Sequence, residues 1–315
     1  MPDIILQTQH LSKRYGSLVA VKDLNLEVYA GEIFGFLGPN GAGKTTSINM
    51  ICGLLKPDAG RVTLQGAAVS NGDAEIRRRV GVCPQNIVLW ERLTSFEQLV
   101  FIGEMYGMKT VEARRRSQQL LIDLDLIEKR NQQARTLSGG MQRRLNLAMA
   151  LVHDPAILIL DEPEAGLDPQ SRVKVRTYIQ SLARKKTIIL TTHNMDEAER
   201  LADRVAVIDH GELLVIDTPE ALKRRVGEGD IIEVQVNGNI ADVPALRIIL
   251  KPYSNEVVYD EAGHLLRIRA LDAVGRLSPI LTAIDNCGIQ AGEVGIHPNT
   301  LEDVFIQLTG RRLRE

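Results

Sequence analysis

The stretch GFLGPNGAGKTTSINMICGLL, residues 35–55, fixes how the rest of the chain is read. Its apolar start reads as a strand and TTSINMICGLL as a helix. Between them GPNGAGKT (38–45) fits the pattern G-x-x-x-x-G-K-[ST] in the strand–loop–helix setting that a phosphate loop requires. Gly41 and Gly43 permit backbone angles and a close approach that a side chain would block. Main-chain N–H groups of the loop Gly38, Pro39, Asn40, Gly41, Ala42 and Gly43 can then wrap a phosphate. Lys44 is expected to reach the β- and γ-phosphates and Thr45 to ligate Mg²⁺, with Thr46 completing the nucleotide-binding stretch.

Downstream, AILILDE (156–162) reads as a buried strand that ends in two carboxylates at the edge where parallel sheets hold ligands. Asp161 suits a Mg²⁺ site, and Glu162 suits a base for an attacking water. TIILTTH (187–193) repeats the pattern and ends in His193, within reach of a γ-phosphate. Gln85, in GVCPQN, also follows a strand and can contact the metal or the water. Tyr15, beside Gly16, offers a ring on which a purine can stack. Each of these has a plainer reading in isolation: an acidic turn, a structural histidine, a turn glutamine, a half-buried core tyrosine. LSGGMQRR (137–144) adds a second anion-holding turn, because Ser138, Gly139 and Gly140 precede a helix whose N–H groups point outward.

The totals restrict the setting. The 315 residues suffice for about two domains, and 44% hydrophobic with 25% charged residues is ordinary for a soluble globular protein. A net charge of −2 argues against a dedicated nucleic-acid binder. The arginine triplets 77–79 and 114–116 read as solvated helix faces. Cys52, Cys83 and Cys287 have neither disulfide-framework nor zinc-ligand spacing. No signal peptide or membrane-spanning stretch is evident, so a soluble, cytoplasmic chain is expected.

Strands alternating with helices indicate a mostly parallel α/β sheet. Helices are expected across 96–105, where Thr94 or Ser95 with Glu97 or Gln98 forms a capping box, across about 111–122, and from near Ser138. Asn194 with Glu197 opens another. A polar, glycine-bearing stretch at 218–230 marks a boundary, after which the elements read βαββαβ, the ferredoxin-like order, followed by a closing helix in LEDVFIQLTG.

With the phosphate loop, Gln85, LSGGMQRR, LILDEP, AGLD and His193 in this order, the chain resembles the ABC (ATP-binding cassette) ATPases over roughly residues 4–225. LSGGMQRRL, LTSFEQLVFIGEMYG and LEDVFIQLTG look most like the separate ATPase subunits of drug exporters of the daunorubicin-resistance type. The resemblance implies a P-loop cassette at 1–225 with antiparallel N-terminal strands and a helical subdomain at about 86–155, plus a small α+β accessory domain at 226–315.

It further implies that two copies pack head to tail as a homodimer, and that Ser138, Gly139 and Gly140 of one close over ATP held by Lys44 of the other. Tyr15 then matches the adenine-stacking aromatic, Gln85 the lid glutamine, Glu162 the general base, Asp168 the turn linking the two sites and His193 the switch histidine. A separate transmembrane permease is implied, docked near Gln85, with the cassette peripheral on the inner face of the membrane.

One position departs from the family pattern. Glu164 stands where a threonine is usual; it either raises the negative charge beside Glu162 and disturbs its pKa or points to solvent, and the second is the favoured reading because every residue assigned a direct role is intact. The competing class is a soluble cassette ATPase acting on ribosomes or DNA. Those usually carry tandem cassettes or a long coiled coil, and no heptads lie between Lys44 and Ser138.

Overall fold

The computed structural model describes residues 3–70, 74–226, 229–237, 240, 242–260 and 263–309. Gly310 of LEDVFIQLTG, and Gly227 and Glu228 of the boundary stretch, lie outside these residues. The chain divides into two compact units between Pro219 and Glu220.

In the first unit, β1 (Ile4–Tyr15) and β2 (Leu18–Tyr29) form a long antiparallel hairpin that turns at Gly16. Next come β3 (Ile33–Leu37), α1 (Lys44–Ile51), β4 (Ala59–Leu64), β5 (Ala67–Ala68), α2 (Ala74–Arg79) and β6 (Val80–Cys83). The helical segment holds α3 (Ser95–Met105), α4 (Thr110–Asp123) and α5 (Gly139–Leu151). The unit closes with β7 (Ile157–Asp161), α6 (Pro169–Leu182), β8 (Thr187–Thr192), α7 (Met195–Leu201), β9 (Arg204–Asp209) and β10 (Glu212–Asp217).

Two sheets result. One is antiparallel, in the order β2-β1-β4-β5. The other has the order β10-β9-β3-β8-β7-β6, parallel except for β10 at its edge. Strands β3, β7 and β8 are buried at every residue, as expected for a sheet covered on both faces. Their side chains alternate between two cores. Ile33, Leu158, Leu160, Ile188 and Leu190 join Leu99, Leu120 and Leu145 of the helices, whereas Phe34, Phe36, Ile157, Ile159 and Ile189 join the antiparallel sheet and α1. The phosphate loop leaves β3, which pairs with β8 on one side and β9 on the other.

Local chemistry sets the helix ends. Thr94 Oγ1 accepts from Glu97 N at 3.1 Å while the Glu97 carboxylate accepts from Thr94 N at 2.8 Å, so the capping box at α3 is Thr94 with Glu97. Helix α1 stops four residues short of the expected Leu55. Gly53 takes φ +66 and its N–H donates to Met50 O, while Leu54 N–H donates to Asn49 O, the paired closure that satisfies the last carbonyls of a helix.

Helix α8 (Pro219–Val226) begins at the boundary, and the second unit continues with β11 (Asp230–Val236), α9 (Val243–Leu250), β12 (Glu256–Asp260), β13 (Leu265–Ala270), α10 (Ala273–Asn286), β14 (Ala291–His297) and α11 (Leu301–Thr309). Its antiparallel sheet has the order β12-β13-β11-β14. Ile232, Val234, Leu266 and Ile268 pack against Leu246, Leu250, Ile280 and Ile284 of α9 and α10. Cys52 and Cys83 are buried, and burial pushes their thiols up to about 12 and about 11; Cys287 is partly exposed.

Candidate active site

The phosphate loop is tight because its neighbours leave no room. A Cβ on Gly38 would lie 2.3 Å from Ile208 O, and one on Gly43, whose φ is +100, would lie 2.3 Å from Ala20 O. Gly41 also has positive φ, +82. These are angles and contacts that only glycine takes without strain. Lys44 opens α1, and its Nζ donates to Gly38 O at 2.8 Å and Pro39 O at 3.1 Å. Burial lowers the Lys44 pKa, and the charges of Glu162 and Asp161 oppose that shift.

At the end of β7 the Asp161 carboxylate accepts a short hydrogen bond from Thr191 Oγ1. Glu162 then turns out of the strand at φ +48, a left-handed angle that is uncommon for a residue with a side chain. Its N–H is held by Thr191 O at 3.0 Å. The re-aimed carboxylate, 5% exposed, lies 2.7 Å from His193 Nδ1 and accepts from Gln85 Nε2 at 3.5 Å. Three residues separated by many positions in sequence thus meet at one carboxylate.

Tyr15, Asn40, Gly41, Gly43, Lys44, Thr45, Thr46, Gln85 and Glu162 line a single cleft of about 330 Å³. Tyr15 is 51% exposed there, with the Lys13 ammonium 5.9 Å from the centre of its ring. Leu18, Val19, Ala20 and His210 complete the wall, and the sequence reading missed all four. No motif marks them; they arrive through the β2 hairpin and the turn after β9.

Gly38, Pro39, Ala42, Asp161 and His193 do not line the cleft themselves but adjoin residues that do, along the chain or through the bonds of Lys44 and Glu162. Ser138, Gly139, Gly140 and Asp168 are not among the lining residues either. They form a second cluster. Ser138 caps α5, its Oγ accepting from Met141 N at 3.4 Å, and Asp168 caps α6, its Oδ1 accepting from Ser171 N at 3.0 Å. A Cβ on Gly140 would lie 2.1 Å from Ser171 Oγ, so the two turns abut; one on Gly139 would meet nothing within 4 Å.

Glu164 corrects an expectation. It is 4% exposed rather than solvated. Its two oxygens accept from Arg176 Nε and Nη2 at 2.8 and 2.7 Å, and Arg172 Nε lies 3.8 Å away. The two-pronged guanidinium geometry of α6 explains why a carboxylate is accommodated where it was expected to face water.

Behind it, burial raises the Glu197 carboxyl from its ordinary 4.5 to about 7, opposed by the hydrogen bond from Thr192 Oγ1 at 2.6 Å and reinforced by the charges of Glu164 and Glu162. A carboxyl that holds its proton more tightly when folded contributes stability below pH 4.5, and that contribution is lost as pH rises through about 7. Glu197→Gln is therefore expected to stabilise the protein by roughly 1–3 kcal/mol at pH 8 and by little at pH 4.5. Thermal unfolding at the two pH values checks this; equal shifts at both would contradict it.

Arg143 and Arg144 were also missed. Both are buried, 3% and 5% exposed, in a helix start that reads as polar. Among the described residues, no group of three or more His, Cys, Asp and Glu side chains could hold a metal ion.

Residues 21–165 match the family model described as ABC transporter. The chain is 36% identical over 314 residues to a daunorubicin resistance ATP-binding protein of Streptomyces coeruleorubidus, covering 99% of this chain and 97% of that protein. The chain belongs to the ABC transporter family. It is likewise 39% identical over 312 residues to a Nod factor export ATP-binding protein of Ralstonia nicotianae, covering 99% of this chain and 95% of that one. A dimeric, post-hydrolysis ATP-binding cassette with ADP and phosphate bound is 27% identical at TM-score 0.62, covering 68% of this chain and 98% of that chain. As an ABC ATPase subunit, the chain binds and hydrolyses ATP, and its cleft is where the family's phosphate loop lies.

Proposed function

We propose that two copies of this ATPase pack head to tail, each cleft closed by the signature turn of the other, and that the pair drives export through a separate permease. The observation that carries this reading is the division of one chain's polar machinery into two clusters. Lys44, Thr45, Gln85 and Glu162 line the cleft, while Ser138–Gly140 and Asp168 do not. The start of α5, exposed at Ser138 and Gly139, then serves a γ-phosphate of the partner copy.

Within the cleft, Tyr15 stacks on the adenine and the loop from Gly38 to Thr46 holds the phosphates. Glu162 removes a proton from the attacking water, His193 orients Glu162 and contacts the γ-phosphate, and Gln85 positions the water. Thr45, Asp161 and Gln85 offer only oxygen donors of the hard kind that Mg²⁺ prefers, and Mg²⁺ commonly takes its remaining ligands from phosphates. When bound it would neutralise charge on the β- and γ-oxygens. Asp168, abutting the signature turn through Ser171, links the two sites.

No described helix is long and apolar enough to cross a membrane. The path for cargo is assigned to a separate permease on the ground of the ABC transporter family. Support for its docking site comes from the loop after Gln85 and from α3. Ile87, Val88, Trp90, Phe101 and Met105 are 40–66% exposed, and Trp90 and Phe101 pack edge to face at 5.3 Å. Exposed apolar clusters of this kind mark interaction surfaces. The cassette then sits on the inner face of the membrane through the permease. Relatives named for drug resistance and for export favour the outward direction.

Phe101→Asp with Met105→Asp is expected to reduce co-purification of a permease encoded beside this chain by about tenfold or more. The isolated chain should still hydrolyse ATP. Parent-like recovery of the permease would remove this surface from consideration, and recovery of ribosomes or DNA instead would overturn the transport reading.

A further inference from the structure

Helix α5 presents Ser138–Gly140 at its start and, one turn on, buries Arg143 beneath the cleft. Arg143 Nε donates to Pro163 O at 3.1 Å. Its Nη1 donates to Pro84 O at 2.6 Å and Gln85 O at 2.9 Å, and its Nη2 to Asp161 O at 2.8 Å and Glu162 O at 2.7 Å. A guanidinium has five N–H donors in a rigid fork. All of them go to main-chain carbonyls, and these carbonyls belong to two loops only. One loop carries Gln85, and the other carries Asp161 and Glu162.

Burying a cation costs several kcal/mol unless its donors are satisfied, and five charge-assisted hydrogen bonds meet that condition without a carboxylate partner. A purely structural rivet would need no particular carbonyls. Here two of the five bonded carbonyls belong to Gln85 and Glu162, whose side chains meet at 3.5 Å across the cleft, and the other three belong to their chain neighbours Pro84, Asp161 and Pro163. Asn146, one turn further along α5, reinforces the same contact by donating to Cys83 Sγ at 3.4 Å and Pro84 O at 3.5 Å.

We propose that Arg143 is a positioning residue that couples the signature turn to the hydrolytic pair of its own chain. Seating Ser138–Gly140 on a partner's nucleotide shifts α5, and the guanidinium carries that shift to the backbones of Gln85 and Glu162. One site's closure thereby sets the base of the other. The inference rests on the head-to-tail reading and adds an arginine to it. Lysine cannot substitute, because an ammonium has three donors at one point and cannot span both loops.

The test is steady-state ATP hydrolysis by the full chain with Arg143→Lys and Arg143→Met. Each is expected to lower kcat by about tenfold to a hundredfold, as misplacement by about 1 Å does, with KM within about threefold of the parent. ATP-dependent association in a Glu162→Gln background should persist. Arg143→Lys keeps the charge and carries the test if Arg143→Met does not fold.

Mixed dimers locate the effect. A chain bearing both Arg143→Lys and Glu162→Gln, paired with the parent, should match Glu162→Gln paired with the parent, because the working site then has its own Arg143. A chain bearing Arg143→Lys alone, paired with Glu162→Gln, should lose that activity. Parent-like kcat in Arg143→Lys, or equal loss in both pairings, would overturn the coupling. If Glu162→Gln itself turns over normally, the roles proposed for the cleft fail instead.

Discussion

Glu162→Gln is expected to lower ATP turnover by about 10²–10⁴-fold while the protein accumulates as an ATP-bound dimer. The substitution keeps the shape of the side chain and can still contact His193 and Gln85, which lie 2.7 and 3.5 Å from the carboxylate. What it removes is the basic oxygen. Lys44 and the loop before it are untouched, so nucleotide affinity is retained and the sandwich, once closed, has no route to open by hydrolysis. Phosphate release and light scattering in the presence of ATP measure the two halves of the result. Parent-like phosphate release, or a variant that stays monomeric with ATP, would remove Glu162 from the role of base.

A second large effect separates a site shared by two chains from one built within a chain. Lys44→Ala should abolish hydrolysis by removing the cation at the phosphates. Gly139→Asp should do the same by placing a carboxylate at the signature turn, and a Cβ at Gly139 meets nothing within 4 Å, so the fold tolerates it. Gly140 would be a poor choice, because its Cβ would strike Ser171. Mixed in equal amounts, the two inactive proteins should recover hydrolysis that neither shows alone. The ceiling is about a quarter of the parental rate, because half of randomly paired dimers are mixed and each keeps one unaltered site. The coupling proposed through Arg143 lowers the rate below that ceiling, because the second site cannot close. No recovery would mean that Lys44 and Gly139 act on the same nucleotide within one polypeptide.

Much of the site was legible because its signals are local. The loop from Gly38 to Thr45 combines a strand, left-handed glycines and a helix start within a few residues. Thr94, Ser138 and Asn194 each cap the helix that their sequence announced. The all-apolar runs at β7 and β8 identified strands buried on both faces, which placed Glu162 and His193 at one edge.

The remainder depends on partners that carry no sequence signature. Arg143 bonds to main-chain carbonyls, which any residue supplies, so it reads as one more surface arginine on a polar helix. Glu164 owes its burial to Arg176, a turn and a helix away, and nothing in DEPEAGLD announces that contact. His210 reaches the cleft only because β9 pairs with β3 and delivers the turn that follows it.

The cysteine distribution has a practical corollary for biophysics. Cys52 and Cys83 are sealed in the first unit with thiols at about 12 and about 11, so they stay in the unreactive form at neutral pH, whereas Cys287 is partly open at the end of α10. A maleimide fluorophore or nitroxide therefore attaches selectively to the second unit, without prior removal of native thiols. In an assembly of two copies, one reporter per polypeptide gives a single inter-label distance with which to follow the accessory units through a turnover cycle.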